Sequence, residues 1–176
     1  MAETSADVVR RYLEDAIAAE RNFETQLQDF ASQTENPAAK SAFEQRARAT
    51  RKQHERLTAR LEILGGSVSG AKTLLSHIFG LRSKTLPHGH PTNGLTTHNL
   101  MLAFAIENSE LAMYEALAAI AEAAGDPETA VLARSNQSEE KTAAENLWRI
   151  LSKVAFEDYE QATRETADEY AKGATV

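Results

Sequence analysis

An offset of 90 residues lays the chain over itself: Glu20 falls on Glu110, Pro37 on Pro127, Leu57 on Leu147 and Leu61 on Leu151. Each half is a long amphipathic segment, an (Asn/Asp)-Pro turn and a second long amphipathic segment, and this doubled plan leaves few folds open. Apolar residues recur at intervals of three and four, the spacing of one helix face. In residues 5–34 the stripe runs Val9, Leu13, Ile17, Glu20, Glu24, Leu27 and Phe30 or Ala31. In residues 37–64 it runs Phe43, Ala47, Thr50, His54, Leu57, Leu61 and Leu64. From Thr96 or Thr97 to Ala124 it runs Leu100, Phe104, Glu107, Leu111, Tyr114, Leu117 or Ala118, and Ala121. In residues 127–155 it runs Ala133, Gln137, Glu140, Ala144, Leu147, Leu151 and Val154.

The punctuation agrees. Pro37, Pro87, Pro91 and Pro127 all lie between these segments and never inside one, as a residue without an N–H requires. Asn36 and Asp126 are placed to cap helices that start on proline, and Gly65-Gly66 to end the second helix. Two helical hairpins joined by a crossover of about thirty residues make a four-helix bundle with one long connection. Within the crossover, residues 72–82 read as a short apolar helix and 83–96 as loop. A charged tail, 156–172, either continues the fourth helix or forms a fifth on Phe156, Tyr159, Thr163, Thr166 and Tyr170. Residues 1–176 are expected to form one domain, with a core at about 5–155 and a tail at 156–176.

Composition removes several classes of function. The chain has no cysteine, so disulfide scaffolds, thiolate metal sites, catalytic thiols and iron–sulfur clusters are excluded. It contains no P-loop, dinucleotide glycine motif or Gly-x-Ser-x-Gly elbow. The net charge of −7 disfavours nucleic acid as a partner. The charge is also uneven, with 13 Lys and Arg against 11 Asp and Glu in residues 1–90, and 6 against 15 in the remainder. No apolar run approaches the ~20 residues of a membrane span, and Met1-Ala2-Glu3-Thr4-Ser5 carries no signal-peptide pattern. A cytoplasmic protein without a membrane partner is expected.

The chemistry lies in glutamates that interrupt the apolar stripes. A buried carboxylate costs several kcal/mol unless paired or bound to metal, yet Glu20, Glu107 or Glu110, and Glu140 stand on inferred inner faces near mid-helix. The repeat equates Glu20 with Glu110, Thr50 with Glu140, and His54 with Ala144. Carboxylates and an imidazole from different helices, meeting at one level, are how di-metal sites in bundles are built. Glu20, His54, Glu107, Glu110 and Glu140 are therefore the candidate metal ligands. The strict Glu-x-x-His pairs of such sites are absent: Arg51 stands three residues before His54, and the fourth helix has no histidine. His88-Gly89-His90 with His98 is a second constellation, read here as exposed loop, and His77 reads as a packed histidine. The basic run Arg46, Arg48, Arg51, Lys52, Arg56 and Arg60 is interleaved with Glu44, Glu55 and Glu62. It reads as a solvated face or one that meets the acidic tail.

Four segments carry a resemblance to a known family. They are EDAIAAERNFETQL, ENPAAKSAFEQRARATRKQHERLTARLEILG, AFAIENSELAMYEALAAIAEAAGD and SEEKTAAENLWRILSKVA. Over about residues 8–155 the chain resembles the YciE/YciF-type ferritin-like family of bacterial stress-associated proteins. The resemblance implies an all-α, ferritin-like antiparallel four-helix bundle with a crossover short helix and a C-terminal helical tail. It implies a bound iron or manganese, with Glu20 in a metal-facing place, and a role in stress protection handling peroxide or dioxygen. The family's Glu-His-Tyr-Glu run is Glu107-Asn108-Ser109-Glu110 here. Its Glu-Glu followed by Asp four residues on is Glu139-Glu140 and Ala144, and its acidic position in the second helix is Ala49. The alternative is a metal-free structural or interaction protein whose buried glutamates are held by Arg51, Gln53, Tyr114 or Lys141. Exposed apolar residues of the crossover, Leu74, Leu75, Ile78, Phe79 and Leu81, point to a homodimer rather than a cage.

Overall fold

A computed structural model describes residues 3–68 and 95–173, with side chains to residue 164. Four helices account for almost all of it: α1 (Ser5–Gln33), α2 (Pro37–Ile63), α3 (Leu95–Ala123) and α4 (Pro127–Gly173). No strand occurs among the described residues, so the protein is an all-α four-helix bundle. The expected crossover helix with its five apolar residues, the expected 83–96 loop up to residue 94, and His77, His88 and His90 lie outside the described residues. No helix in the described residues is long and apolar enough to cross a membrane.

Local chemistry sets the helix ends. Thr4 and Asp7 form a capping box at the start of α1, with Thr4 N donating to Asp7 Oδ2 at 2.9 Å and Asp7 N to Thr4 Oγ1 at 3.2 Å. Asn36 accepts from Ala38 N and Ala39 N at 3.1 Å each, one residue before Pro37. Asp126 does the same work for α4, accepting from Thr129 N at 3.0 Å. Helices α2 and α3 end alike. Gly65 and Gly125 both adopt φ +74°, a left-handed conformation in which a Cβ would be strained. Gly66 N then returns to Leu61 O, and Asp126 N to Ala121 O, both at 2.9 Å.

The helices pack as α1 against α2 and α3 against α4, with α1 also beside α3 and α2 beside α4. At one end Arg10 Nη1 donates to Leu64 O at 3.0 Å, and at the other Thr34 meets Thr96 hydroxyl to hydroxyl at 2.7 Å. The chain therefore leaves α2 at one end of the bundle and re-enters α3 at the opposite end, the ferritin-like connectivity. The tail continues α4 without a break to Gly173. At 1.5 Å per residue α4 is about 70 Å long, against about 40 Å for its neighbours.

The core is divided. One apolar cluster, around Leu13, Ile17, Leu57, Leu61 and Leu117, fills the end where α1 begins. A second, around Phe23, Phe30, Phe43, Leu100 and Leu147, fills the other. Between them lies a layer of buried polar side chains.

Candidate metal centre

Four glutamates occupy that layer, and all four are 0% exposed: Glu20 from α1, Glu107 and Glu110 from α3, and Glu140 from α4. Helix α2 contributes Arg46, Thr50 and Gln53, and α4 adds Asn136. The level is fixed by the packing on either side: every one of these residues except Glu140 sits one turn from a buried apolar member of the flanking clusters, and Glu140 lies two turns from both Ala133 and Leu147.

Glu20, Glu110 and Glu140 converge. Each offers a carboxylate oxygen, and these atoms lie within 4.8 Å of one another, a group that could hold a metal ion. Both oxygens of Glu110 and Oε2 of Glu20 are buried without a hydrogen-bond partner. The other Glu20 oxygen, Oε1, accepts from the Tyr114 hydroxyl, which in turn accepts from Asn136 Nδ2 at 3.0 Å. Glu140 accepts from Gln53 Nε2 on Oε1 and from Arg46 on Oε2.

Arg46 is the only basic residue among the buried side chains described. Its Nε donates to Glu107 Oε1 at 2.6 Å and its Nη1 to Gln53 Oε1 at 3.0 Å. Its Nη2 donates to Glu140 and stands 3.6 Å from Glu110 Oε2. The guanidinium also lies over the Phe23 ring, 5.8 Å from its centroid. Four carboxylates against one guanidinium leave an excess of negative charge in a medium that solvates it poorly. Burial, reinforced by Glu140, pushes the Glu20 carboxyl up to about 8 despite Arg46 and Tyr114. Burial likewise holds Glu110 well above the usual range, with Glu20, Glu140 and Glu107 adding to it. It raises Glu107 further than Arg46 draws it down. Burial opposes the charge on Arg46 too, but the surrounding carboxylates outweigh it and hold its pKa above the ordinary value.

Of the five expected ligands, the structure brings Glu20, Glu110 and Glu140 into one group. Glu107 is at the same level but faces Arg46. His54 is half-buried and outside the group, and its place on α2 is taken by Gln53. Helical spacing allows either residue to follow Thr50 on the inner face, so the stripe alone does not decide between them. Two of the expected partners, Gln53 and Tyr114, hold buried glutamates. The other two do not: Arg51 pairs at the surface with Glu24 at 2.8 and 2.6 Å, and Lys141 is exposed. Arg46 corrects the reading of the basic run as a solvated face. The run does supply surface pairs, such as Arg56 with Glu139 at 2.7 Å, but Arg46 stands three residues after Phe43 and four before Thr50, on the inner stripe. His98 is half-buried near the start of α3.

A groove of about 790 Å³ runs between α2 and α4 and reaches down to Arg46. Small residues, Ala42, Ala49, Ser135, Ser138 and Ala143, line part of it, and larger ones, among them Gln45, Glu139, Arg149 and Ile150, line the rest.

A family model described as a domain of unknown function, DUF892, matches residues 4–160. No curated protein matches the chain. Among solved structures, a protein from Xanthomonas campestris pv. campestris is 26% identical, with 90% of this chain and 98% of that one aligned at a TM-score of 0.74. YcfI from Rhodopseudomonas palustris, provisionally described as a structural protein, is 26% identical over 82% of this chain and 92% of its own, at 0.73. The Escherichia coli stress protein YciF is 22% identical over 90% and 99%, at 0.74, a likeness of fold.

Proposed function

The chain belongs to the DUF892 family, and from that premise we propose that it is a metal-binding ferritin-like bundle of the stress-associated kind. In this reading Glu20, Glu110 and Glu140 hold iron or manganese between α1, α3 and α4. One observation carries it: three fully buried carboxylates with oxygens within 4.8 Å of one another, both oxygens of Glu110 accepting no hydrogen bond. A cation relieves the mutual repulsion and the desolvation that such a group otherwise suffers. The donors are all oxygen, which places manganese ahead of iron.

The protein's own groups would fix the ligands. Tyr114, itself held by Asn136, aims Glu20, while Gln53 and Arg46 aim Glu140; such supporting bonds set ligand orientation and metal affinity. The two apolar clusters exclude water from either side of the layer. A bound iron or manganese would supply one-electron redox chemistry toward peroxide or dioxygen, and the stress role rests on likeness to YciF and on the family resemblance. The chain acts in this reading as a homodimer, supported by the exposed apolar side chains of α3 and α4.

Metal analysis of protein purified without chelator tests the reading. The expected result is manganese or iron in a stoichiometric amount. Less than about a tenth of an equivalent, with no uptake on titration, rejects it. A second reading has its own support, because Arg46, Gln53 and Tyr114 already hold three of the four carboxylates without an ion. It makes the protein a metal-free structural element, in line with the description of YcfI. A bound ion stabilises by about 2.7 kcal/mol at a hundredfold excess over its Kd. A melting temperature indifferent to both chelator and added metal selects the metal-free reading.

A further inference from the structure

We propose that Arg46 stands as a built-in second cation, so that the centre takes one divalent ion per chain and no more. This rests on the metal-binding reading above and fixes the count that reading leaves open. Two-metal bundle sites draw ligands from all four helices, a carboxylate from each of two and a Glu-x-x-His pair from each of the others. Here α2 brings no carboxylate and no imidazole to the buried layer. It brings Arg46, Thr50 and Gln53. The guanidinium fills the α2 side, bonded through Nε to Glu107 and through Nη2 to Glu140.

Gln53 locks the arrangement. Its carbonyl accepts from Arg46 Nη1 at 3.0 Å while its amide donates to Glu140, so Arg46 cannot swing out of the layer without stranding a buried amide. Above it, the groove wall offers Ala49, one turn along α2 from Arg46, and no carboxylate that faces the layer from α2. Charge leads to the same count. One divalent ion beside Arg46 brings four carboxylates to a residual of one negative charge, which a single proton neutralises. A second divalent ion would make the buried layer positive and would sit against a guanidinium that does not give up its proton. What remains for an ion is the space shared by Glu20, Glu110 and Glu140, where Glu20 Oε2 and both Glu110 oxygens accept no hydrogen bond and, of these three atoms, only Glu110 Oε2 stands within ion-pair distance of Arg46, at 3.6 Å.

The test is a stoichiometry. Metal-stripped protein is titrated with Mn²⁺ by calorimetry, and the bound metal is counted after equilibrium dialysis. The wild type is expected to take one ion per chain and to give an uncoupled Mn²⁺ electron paramagnetic resonance spectrum. Arg46→Met, which keeps the length and removes the charge, is expected to take two. Arg46→Lys, which keeps the charge, is expected to stay at one, and it carries the test if the methionine variant does not fold. Two ions in the wild type, or a spin-coupled pair in its spectrum, overturn the inference and leave the metal-binding reading standing. One ion in both wild type and folded Arg46→Met also overturns it, because the guanidinium then does not set the count. No binding by wild type or either variant rejects the metal-binding reading itself.

Discussion

Tyr114 shows how much a single hydroxyl carries in the polar layer. It donates to Glu20 and accepts from Asn136, so Tyr114→Phe strips Glu20 of its one neutral donor and leaves an amide unpartnered. We expect a loss of about 1–3 kcal/mol by chemical denaturation, together with a 10- to 100-fold weaker Mn²⁺ affinity. The carboxyls themselves give a pH signature. Glu20, at about 8 in the folded protein against 4.5 for a free glutamate, binds its proton more tightly folded than unfolded. Its contribution is fully present below the unfolded value and is lost as pH rises through about 8. Glu107 and Glu110 are shifted in the same direction. Melting temperatures in chelator should therefore fall steadily from pH 5 to pH 9, and Mn²⁺ should flatten the fall. A metal-free melting temperature that rises over this range would contradict the assignment. At this scale the sequence is informative about the acids and about two of their partners, Gln53 and Tyr114, but not about the third. Glu20, Glu107, Glu110 and Glu140 stand out because they break apolar stripes. Arg46 hides among five other basic residues, and its partners lie 61 and 94 residues away, beyond any local pattern.

Helix boundaries are the most legible level, because caps, prolines and left-handed glycines act within a few residues of where they stand. The four starts and the ends of α1 to α3 fall within a residue or two of the positions expected from Asn36-Pro37, Gly65 and Asp126-Pro127. The sequence leaves the run of α4 to Gly173 as one of two alternatives, since a charged segment with a helical period reads the same whether it continues or restarts. The caps also differ in what they secure. Asn36 bonds Ala38 N and Ala39 N and reaches Glu157 at 2.8 Å. Asp126 caps α4 and also holds Arg60, largely buried at the end of α2, at 2.6 Å. Asn36→Ala should cost about 1 kcal/mol. Asp126→Ala should cost about 2–3 kcal/mol, because it removes a cap and a partner of a poorly solvated guanidinium. Urea denaturation of the two variants side by side checks the order.

The whole molecule shows more apolar surface than its core requires. Met101, Trp148, Phe156 and Tyr159 are each more than half exposed, and all lie on the α3–α4 side. A patch of this kind is usually covered by a partner, and two-fold pairing is the commonest closed symmetry. Light scattering at micromolar concentration should give about twice the 19.3 kDa chain mass. A single-chain mass at both low and high salt would end the dimer reading, and one many times larger would point to a cage. The divided core has a last consequence, for self-recognition. Because the two hairpins share one plan, nothing in their apolar faces prevents α3–α4 from mating with the α3–α4 of another copy during folding. The buried layer does prevent it. Glu107, Glu110 and Glu140 all belong to the second hairpin, and Arg46 belongs to the first. A mispaired dimer of second hairpins would bury their acids with no cation between them, whereas the correct union gives each acid-rich hairpin the one guanidinium that answers it. The polar layer thus distinguishes the two halves of a near-duplicate chain and tells each which half is its mate.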